Sequence, residues 1–444
     1  MKKHVNIIIT FVFLTYSLSG FTQETKKWTL TECVTHVLEN NISIKQSELD
    51  LKVSDTEKLE SIGSFLPGLQ GTASYGINTG ANINPATNQF ENETFKSASA
   101  NINTGINLFN GLANWKNLQR VKLNKMANTY RLDKMKDDIM LSVANSYLQI
   151  LLSKEQLKVY EAQNRITAEN IERTKQLIDA GNLPAGDMYE LMATDASQKQ
   201  QIIAAENQLF LSKLALAQTM LLKDYYHFDI ADEGFEVPLT IIYDQTPEAI
   251  AAKARETVKD VKVASAALDV AKKDLEIARS GYYPSLSAFF GYNTRWAESI
   301  SLPFNEQVYL FDGTTIGFQL TVPVLNGFST RGRVQRAKIN TERNEYLLKQ
   351  ADLDLEQTIY QAYNDLLNTK KTYEASQATV DARKLAYEFS KERYDVGLMN
   401  AFDFNQSTVL YENAQSDLIR AKYDLIFRIK VLEFYFGIPI TQKF

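Results

Sequence analysis

Leu69-Gln70-Gly71-Thr72-Ala73-Ser74-Tyr75-Gly76-Ile77-Asn78 decides the fold. Leu69, Gly71, Ala73, Tyr75 and Ile77 project one way, and Gln70, Thr72, Ser74, Gly76 and Asn78 the other, as in a β-strand with two different faces. Three more segments read alike. Ala98, Ala100, Ile102, Ile106 and Leu108 oppose Ser97, Ser99, Asn101, Asn103, Gly105 and Asn107. Leu286, Ala288, Phe290 and Tyr292 oppose Ser285, Ser287, Gly291 and Asn293, with Phe289 breaking the pattern. Ile316, Phe318, Leu320 and Val322 oppose Thr315, Gly317, Gln319 and Thr321. The polar faces are small and uncharged, as the wet lumen of a membrane barrel requires; a half-buried sheet in a soluble protein gives the same alternation. Aromatics at the segment ends (Phe65, Phe95, Phe109, Tyr282, Tyr283, Trp296, Phe311) favour the barrel.

The four segments form two pairs about 216 residues apart, within an internal repeat. Ser64–Leu69 matches Gly281–Leu286, Asn107–Gly111 matches Pro323–Gly327, and Ala180–Leu183 matches Val396–Met399. The expected organisation is a first repeat over 23–222, a connector over 223–246, a second repeat over 247–437 and a tail over 438–444. Strands are expected near 66–78, 97–109, 284–294 and 314–324, with long polar loops at Thr79–Lys96 and Ala297–Asp312. Four strands do not close a membrane barrel, for which about eight are needed, and an open edge in lipid strands backbone groups at several kcal/mol each. The chain is therefore expected to oligomerise through its strands. Two copies give eight and three give twelve; the residues do not choose.

Long helices follow each strand pair. Leu112–Ala180 and Arg333–Val396 contain neither Gly nor Pro, and apolar residues recur at three- and four-residue steps (Ile139, Val143, Tyr147, Ile150; Ile359, Tyr363, Leu366). Helices over 112–180 and 329–396 would each reach about 100 Å at 1.5 Å per residue. Such lengths suggest coiled-coil pairs. Gly181 and Gly397 are natural helix C-caps, after which return helices are expected over 187–222 and 401–436. Shorter helices are expected before each strand pair, over 29–62 and 247–280, with Thr246 a candidate cap. The connector is expected to pack outside the helices, with a short strand at Leu239–Tyr243.

Lys2-Lys3, the apolar run Val5–Leu18 and the small residues Ser17, Ser19 and Gly20 read as an export signal over 1–22. The formal charge of -5 gives no basic surface for nucleic acid. The lone Cys33 excludes an internal disulfide framework. His4, His36 and His227 are isolated, and no Cys/His ligand spacing or phosphate loop is present. No enzyme, metal or cofactor is expected.

The order helix, two strands, long helix, tight turn, return helix, given twice, with the leader and the turn Gly397-Leu398-Met399-Asn400, resembles the TolC-like outer-membrane efflux protein family over about Trp28–Phe436. The resemblance implies a mainly α, α+β fold. Long coiled-coil helices extend into the periplasm, and four transmembrane strands per chain contribute to a trimeric twelve-strand barrel in outer-membrane lipid. It implies a passive exit duct for efflux or type I secretion, with a periplasmic adaptor and an inner-membrane transporter as partners. The two turns become the periplasmic tips: Gly181, Asn182, Leu183, Gly397, Leu398 and Met399 as adaptor-contacting residues, and Asp187, Glu190, Tyr394 and Asp403 as the gate. Tyr394 matches a tyrosine that links neighbouring helix pairs to an acidic residue, here Asp187. Met399 and Gln406 depart from the family, standing where an arginine and a second aspartate belong. The residues alone give a plainer reading, since Asp187 and Asp403 fall in first helical turns, where the dipole favours carboxylates. A strand-anchored coiled-coil stalk without a through-pore is the rival; uncharged polar strand faces and matched tips favour the duct.

Overall fold

The computed structural model describes residues 26–83, 87–181, 183–231, 236–238 and 240–440. The expected leader, Asn182 of the first tip, Leu239 and the last four residues lie outside them. The elements run β1 (Lys27–Trp28), α1 (Leu30–Asn40), α2 (Ile42–Gly63), β2 (Gly68–Ile83), β3 (Phe90–Asn110), α3 (Ala113–Asp179), α4 (Gly186–Thr219), β4 (Asp229–Ile230), α5 (Pro247–Thr257), α6 (Asp260–Ser280), β5 (Ser285–Ala297), α7 (Phe304–Leu310), β6 (Gly313–Thr321), α8 (Ser329–Asp395) and α9 (Ala401–Phe436). The chain divides into two compact units, each drawing on both repeats: one from 26–45, 135–257 and 356–440, the other from 46–134 and 258–355.

The second unit holds an antiparallel four-stranded sheet in the order β2-β3-β5-β6. Its register aligns the four alternating patterns. Leu69, Thr104, Phe290 and Ile316 form one cross-strand row, and Gly71, Ile102, Tyr292 and Thr314 the next; on the opposite face Gln70, Asn103, Gly291 and Thr315 line up. Every apolar set therefore shares one face, as the period of two demands. On that face Leu69 is 75% and Ile316 79% exposed, so no described residue covers it there. The polar face carries its own hydrogen bonds, Ser74 to Ser99 at 2.8 Å and Asn78 to Ser97 at 3.0 Å. Phe289, the exception in the alternation, pairs with Gly105 on one side and Gly317 on the other. A Cβ on Gly317 would stand 2.9 Å from the Phe289 ring, so glycine gives the ring its room. A bulge between Asn107 and Phe109 shifts the register and brings Phe109 opposite Leu286 on the apolar face.

Each repeat passes from strand to long helix through the same Asn-Gly-X turn. Gly111 and Leu112 are both left-handed (φ +68° and +65°), as are Gly327 and Phe328 (+58° and +63°). Asn110 Nδ2 donates to Asn114 Oδ1 at 2.7 Å, and Asn326 Nδ2 to Thr330 Oγ1 at 2.6 Å, closing each turn over the first helical residues. Gly111 is constrained further, because a Cβ there would meet the Ser280 carbonyl oxygen at 2.6 Å. Lys125–Asp55 at 2.5 Å ties α3 to α2, and Lys134–Asp260 at 3.0 Å ties α3 to α6.

In the other unit Cys33 and Val37 of α1, Val143, Tyr147 and Ile150 of α3, Leu216 of α4 and Ile426 of α9 build the core. Burial pushes the Cys33 thiol up to about 12, so it is an inert apolar residue. The connector does not simply lie outside the helices: Phe228 and Ile230 enter this core, where β4 pairs in parallel with β1. Asp229 sits between Lys154 at 2.8 Å and Lys213 at 2.9 Å. Burial alone would raise its carboxyl, but the hydrogen bonds from both lysines hold it below the usual range.

Several expected elements differ. The helix over 29–62 is two helices, because the Asn41 side chain accepts from Ser43 N at 2.9 Å and starts α2 afresh. Thr29 caps α1 in a reciprocal capping box with Glu32. The helix over 247–280 likewise breaks between Thr257 and Asp260. The first return helix stops at Thr219, before the left-handed Leu221 (φ +57°). The described part of the expected strand at 239–243 is instead a 3-10 turn over Ile241–Asp244, capped by Thr240. The fourth strand stops at Thr321, ahead of Pro323, which has no N–H to give the ladder. The second polar loop contains α7.

Candidate functional site

The two turns that end α3 and α8 are built alike. Gly181 (φ +76°) donates to the Ile178 carbonyl at 2.9 Å, and Gly397 (φ +77°) to the Tyr394 carbonyl at 3.0 Å. Leu398 N reaches back to the Arg393 carbonyl at 2.8 Å, completing a Schellman cap. No side chain crowds either glycine, so the left-handed backbone, not space, demands it.

Around these turns the unit that holds the connector gathers four helix ends. Tyr394, at the end of α8, is 2% exposed, and its ring stacks on Phe404 of α9 at 4.7 Å and 10°. Tyr387 stacks on Phe404 at 5.9 Å and on Tyr411 at 5.4 Å. Leu183 and Met399, one from each turn, pack against Tyr394, Ala401 and Phe404. The tips thus share an aromatic core to which Met399, the residue replacing an expected arginine, adds apolar contact.

Tyr394 does not take Asp187 as its hydrogen-bond partner within the chain. Its hydroxyl meets Thr174 Oγ1 of α3 at 2.7 Å, and both groups are buried. Asp187 lies near enough for its charge to act on Tyr394: burial raises the phenol's pKa, the Thr174 hydrogen bond opposes that, and the charges of Asp187 and Asp395 raise it further. Asp187 Oδ2 is buried with no hydrogen-bond partner among the described residues. Arg173 and Asp395 add a 3.0 Å ion pair between α3 and α8.

Glu190 Oε1 accepts from Asn405 Nδ2 at 3.5 Å, so it too faces α9. Asp403 stands apart from this cluster. It is exposed, its N–H donates to Asn400 Oδ1 at 2.7 Å, and its Oδ2 accepts from Asn400 Nδ2 at 3.0 Å, the reciprocal arrangement of a capped helix start. Leu398 is 71% exposed, and Gly181 and Gly397 are exposed with it, while Leu183 and Met399 turn inward.

Further from the turns, Glu412 of α9 accepts from Gln198 Nε2 of α4 at 2.9 Å. Burial pushes its carboxyl up to about 7, against the pull of that hydrogen bond. Cavities of about 270 and 360 Å³ flank it, one lined by Ile166, Tyr387 and Gln415, the other by Glu190, Gln198 and Asn405.

Sequence reasoning missed Thr174, the Arg173–Asp395 pair and Glu412. The aromatic core did leave a signal, because Tyr387 and Tyr394 are seven residues apart, as are Phe404 and Tyr411. Thr174 left none, being one of three threonines in a long helix of uniform composition.

Comparison with known proteins agrees with this architecture. The profile of the Outer membrane efflux protein family matches residues 34–220 and again 250–434, one match per repeat. The outer membrane protein TolC of Vibrio cholerae is 24% identical over 440 residues, covering 97% of this chain and 94% of that protein. The alkaline protease secretion protein AprF of Pseudomonas aeruginosa is 23% identical over 303 residues, covering 68% of this chain and 62% of the relative. Among solved structures, the outer membrane protein VceC from Vibrio cholerae superposes with a TM-score of 0.74 at 15% identity, over 92% of this chain and 96% of VceC. With a duplicated match across most of its length, the chain belongs to the outer membrane efflux protein family, and its place is the outer membrane.

Proposed function

We propose that the protein is the passive outer-membrane exit duct of a tripartite efflux or type I secretion system, closed as a homotrimer with a twelve-strand barrel. The observation that carries this reading is the sheet: four strands, two open edges, one exposed apolar face and one polar face of mainly uncharged side chains, with Arg295 opposite Ser99. Lipid takes the apolar face, and three copies remove the edges that hydrocarbon would leave unpaired. The polar rows then line a wet lumen.

The 67-residue helices α3 and α8 carry the duct into the periplasm, and the two turns form its entrance. Tyr394, Asp187 and Glu190, with Thr174, hold the entrance shut within each protomer; the unpartnered Asp187 Oδ2 is placed to take a donor from a neighbouring protomer. The exposed Asp403 adds negative charge there. Gly181, Leu183, Gly397, Leu398 and Met399 shape the tips that a periplasmic adaptor contacts, with Leu398 as the exposed apolar anchor. An inner-membrane transporter supplies energy and cargo. The test is a bilayer recording on the purified protein: the account expects a discrete channel whose conductance rises in Asp187→Ala, and a protein that inserts without conducting refutes the duct.

A further inference from the structure

Beyond the shared barrel, on which it rests, we infer that α7 is an intersubunit clasp that replaces the missing outer part of β6 and covers the outer edge of the neighbouring protomer's β2. The argument begins with strand lengths. β2 and β6 are the two edges of the sheet, so barrel closure brings β6 of one copy against β2 of the next. β2 has sixteen residues and β6 nine, so in the closed barrel seven positions of β2 have no β6 residue opposite them. With the helix-side ends Gly68 and Thr321 aligned, the positions beyond the reach of β6 are Ile77–Ile83. An edge stretch with no strand laid beside it is one that proteins cover.

The same shortfall appears inside the chain. β5 runs on from Asn293, the partner of Gly313, to Ala297 with no β6 residue beside it. There α7 takes the place of the strand. Thr294 Oγ1 donates to the Val308 carbonyl at 2.6 Å, and Ala297 N donates to Gln307 Oε1 at 3.0 Å. Gln307 is fully buried, and its Nε2 donates to the carbonyls of Ile300 and Leu302 at 3.1 and 2.7 Å, so the loop is locked to its own helix. Phe304 packs on Trp296 at 6.0 Å.

Thus one side of α7 is fixed to β5, and the rest of its apolar surface is open: Tyr309 is 80%, Leu310 63% and Phe304 59% exposed. The β5 residues that α7 touches, Thr294 and Trp296, share the apolar face of the sheet with Tyr292. On β2 that face carries Tyr75, Ile77 and Ile83, all exposed. Closure places the two exposed apolar surfaces, α7 of one copy and outer β2 of the next, beside each other on the same side of the same sheet. A second copy of this chain is therefore the occupant, in continuity with the strand interface.

Disulfide trapping tests this. Tyr309→Cys is combined in one chain with a cysteine at Tyr75, Ile77, Thr79 or Ala81, and Thr315→Cys is scanned against β2 positions 68–76 as the control for strand closure. Within one chain β2 lies three strand spacings from α7, about 14 Å, so a disulfide there joins neighbouring copies. Cys33 is buried and stays silent. The clasp predicts covalent trimers on denaturing gels from the control and from at least one Tyr309→Cys pair at Ile77 or beyond. Control cross-links with none from Tyr309→Cys overturn the clasp alone, and mean that α7 faces lipid or the barrel mouth. Loss of both sets overturns the clasp together with the closed barrel beneath it.

Discussion

Tyr394→Phe removes one oxygen from the entrance, and the structure sets what that oxygen is worth. The phenol and the Thr174 hydroxyl meet at 2.7 Å, both buried between α3 and α8. A hydrogen bond of this kind contributes about 1 kcal/mol net, and stranding the buried partner costs about 1–3 kcal/mol. Phe keeps the stack on Phe404, so the aromatic core survives and the loss is local. If three protomers open together, even the low figure sums to roughly 3 kcal/mol, about a hundredfold in the closed-to-open ratio at 1.4 kcal/mol per tenfold. Bilayer conductance of the purified variant and entry of a large hydrophilic antibiotic into cells both read that shift, and both are expected to rise. Thr174→Val is expected to act in the same direction. The double variant Tyr394→Phe/Thr174→Val replaces both partners by apolar groups and is expected to leak less than the sum of the two. Parent-like conductance and antibiotic entry in Tyr394→Phe refute the reasoning, and strict additivity in the double variant shows that the two hydroxyls do not act as a pair.

Three further outcomes are expected. Asp229→Asn removes the carboxylate that Lys154 and Lys213 share and should cost about 3 kcal/mol, read as a lower Tm; because the Asp229 carboxyl is held below its ordinary value, the parent keeps this contribution above about pH 4 and loses it as pH falls through the lower folded value. Glu412 behaves oppositely: its folded pKa, about 7, lies above the ordinary 4.5, so the folded state holds the proton longer and stability falls as pH rises through that window. Glu412→Gln keeps the oxygen that accepts from Gln198, and its melting temperature should exceed the parent's above pH 7 and lose the slope between pH 4.5 and 7; an unchanged slope places the titration elsewhere. Gly327→Ala meets only the left-handed backbone penalty, about 1–2 kcal/mol, whereas Gly111→Ala adds a contact with the Ser280 carbonyl and should be the more destabilising by thermal melting; equal losses refute the packing argument.

The sheet was legible because alternation with a period of two is a strong signal, and the register does align all four apolar sets. Strand ends were not, for two reasons. β2 and β3 extend past their apolar alternation into Asn- and Thr-rich sequence held by the ladder itself, while Pro323 cuts β6 short. The long helices followed from the absence of Gly and Pro, yet that same rule hid the breaks at Asn41 and at Val258-Lys259, where neither residue occurs; at Asn41 a side-chain cap restarts the helix. Both tips were marked by Gly181 and Gly397. Their internal chemistry was only half visible: Tyr394 was marked by the family resemblance, whereas its partner Thr174 comes from 220 positions earlier in the chain, a juxtaposition that no local pattern encodes. The α7 clasp was hidden in what read as a polar loop, because seven residues are too few to show a helical period.

The native mass of the detergent-purified protein tests the account most directly. A particle of three chains, about three times 50.4 kDa, is predicted, since twelve strands then close without an edge. A folded monomer with its four-stranded sheet intact contradicts the shared barrel and the duct built on it.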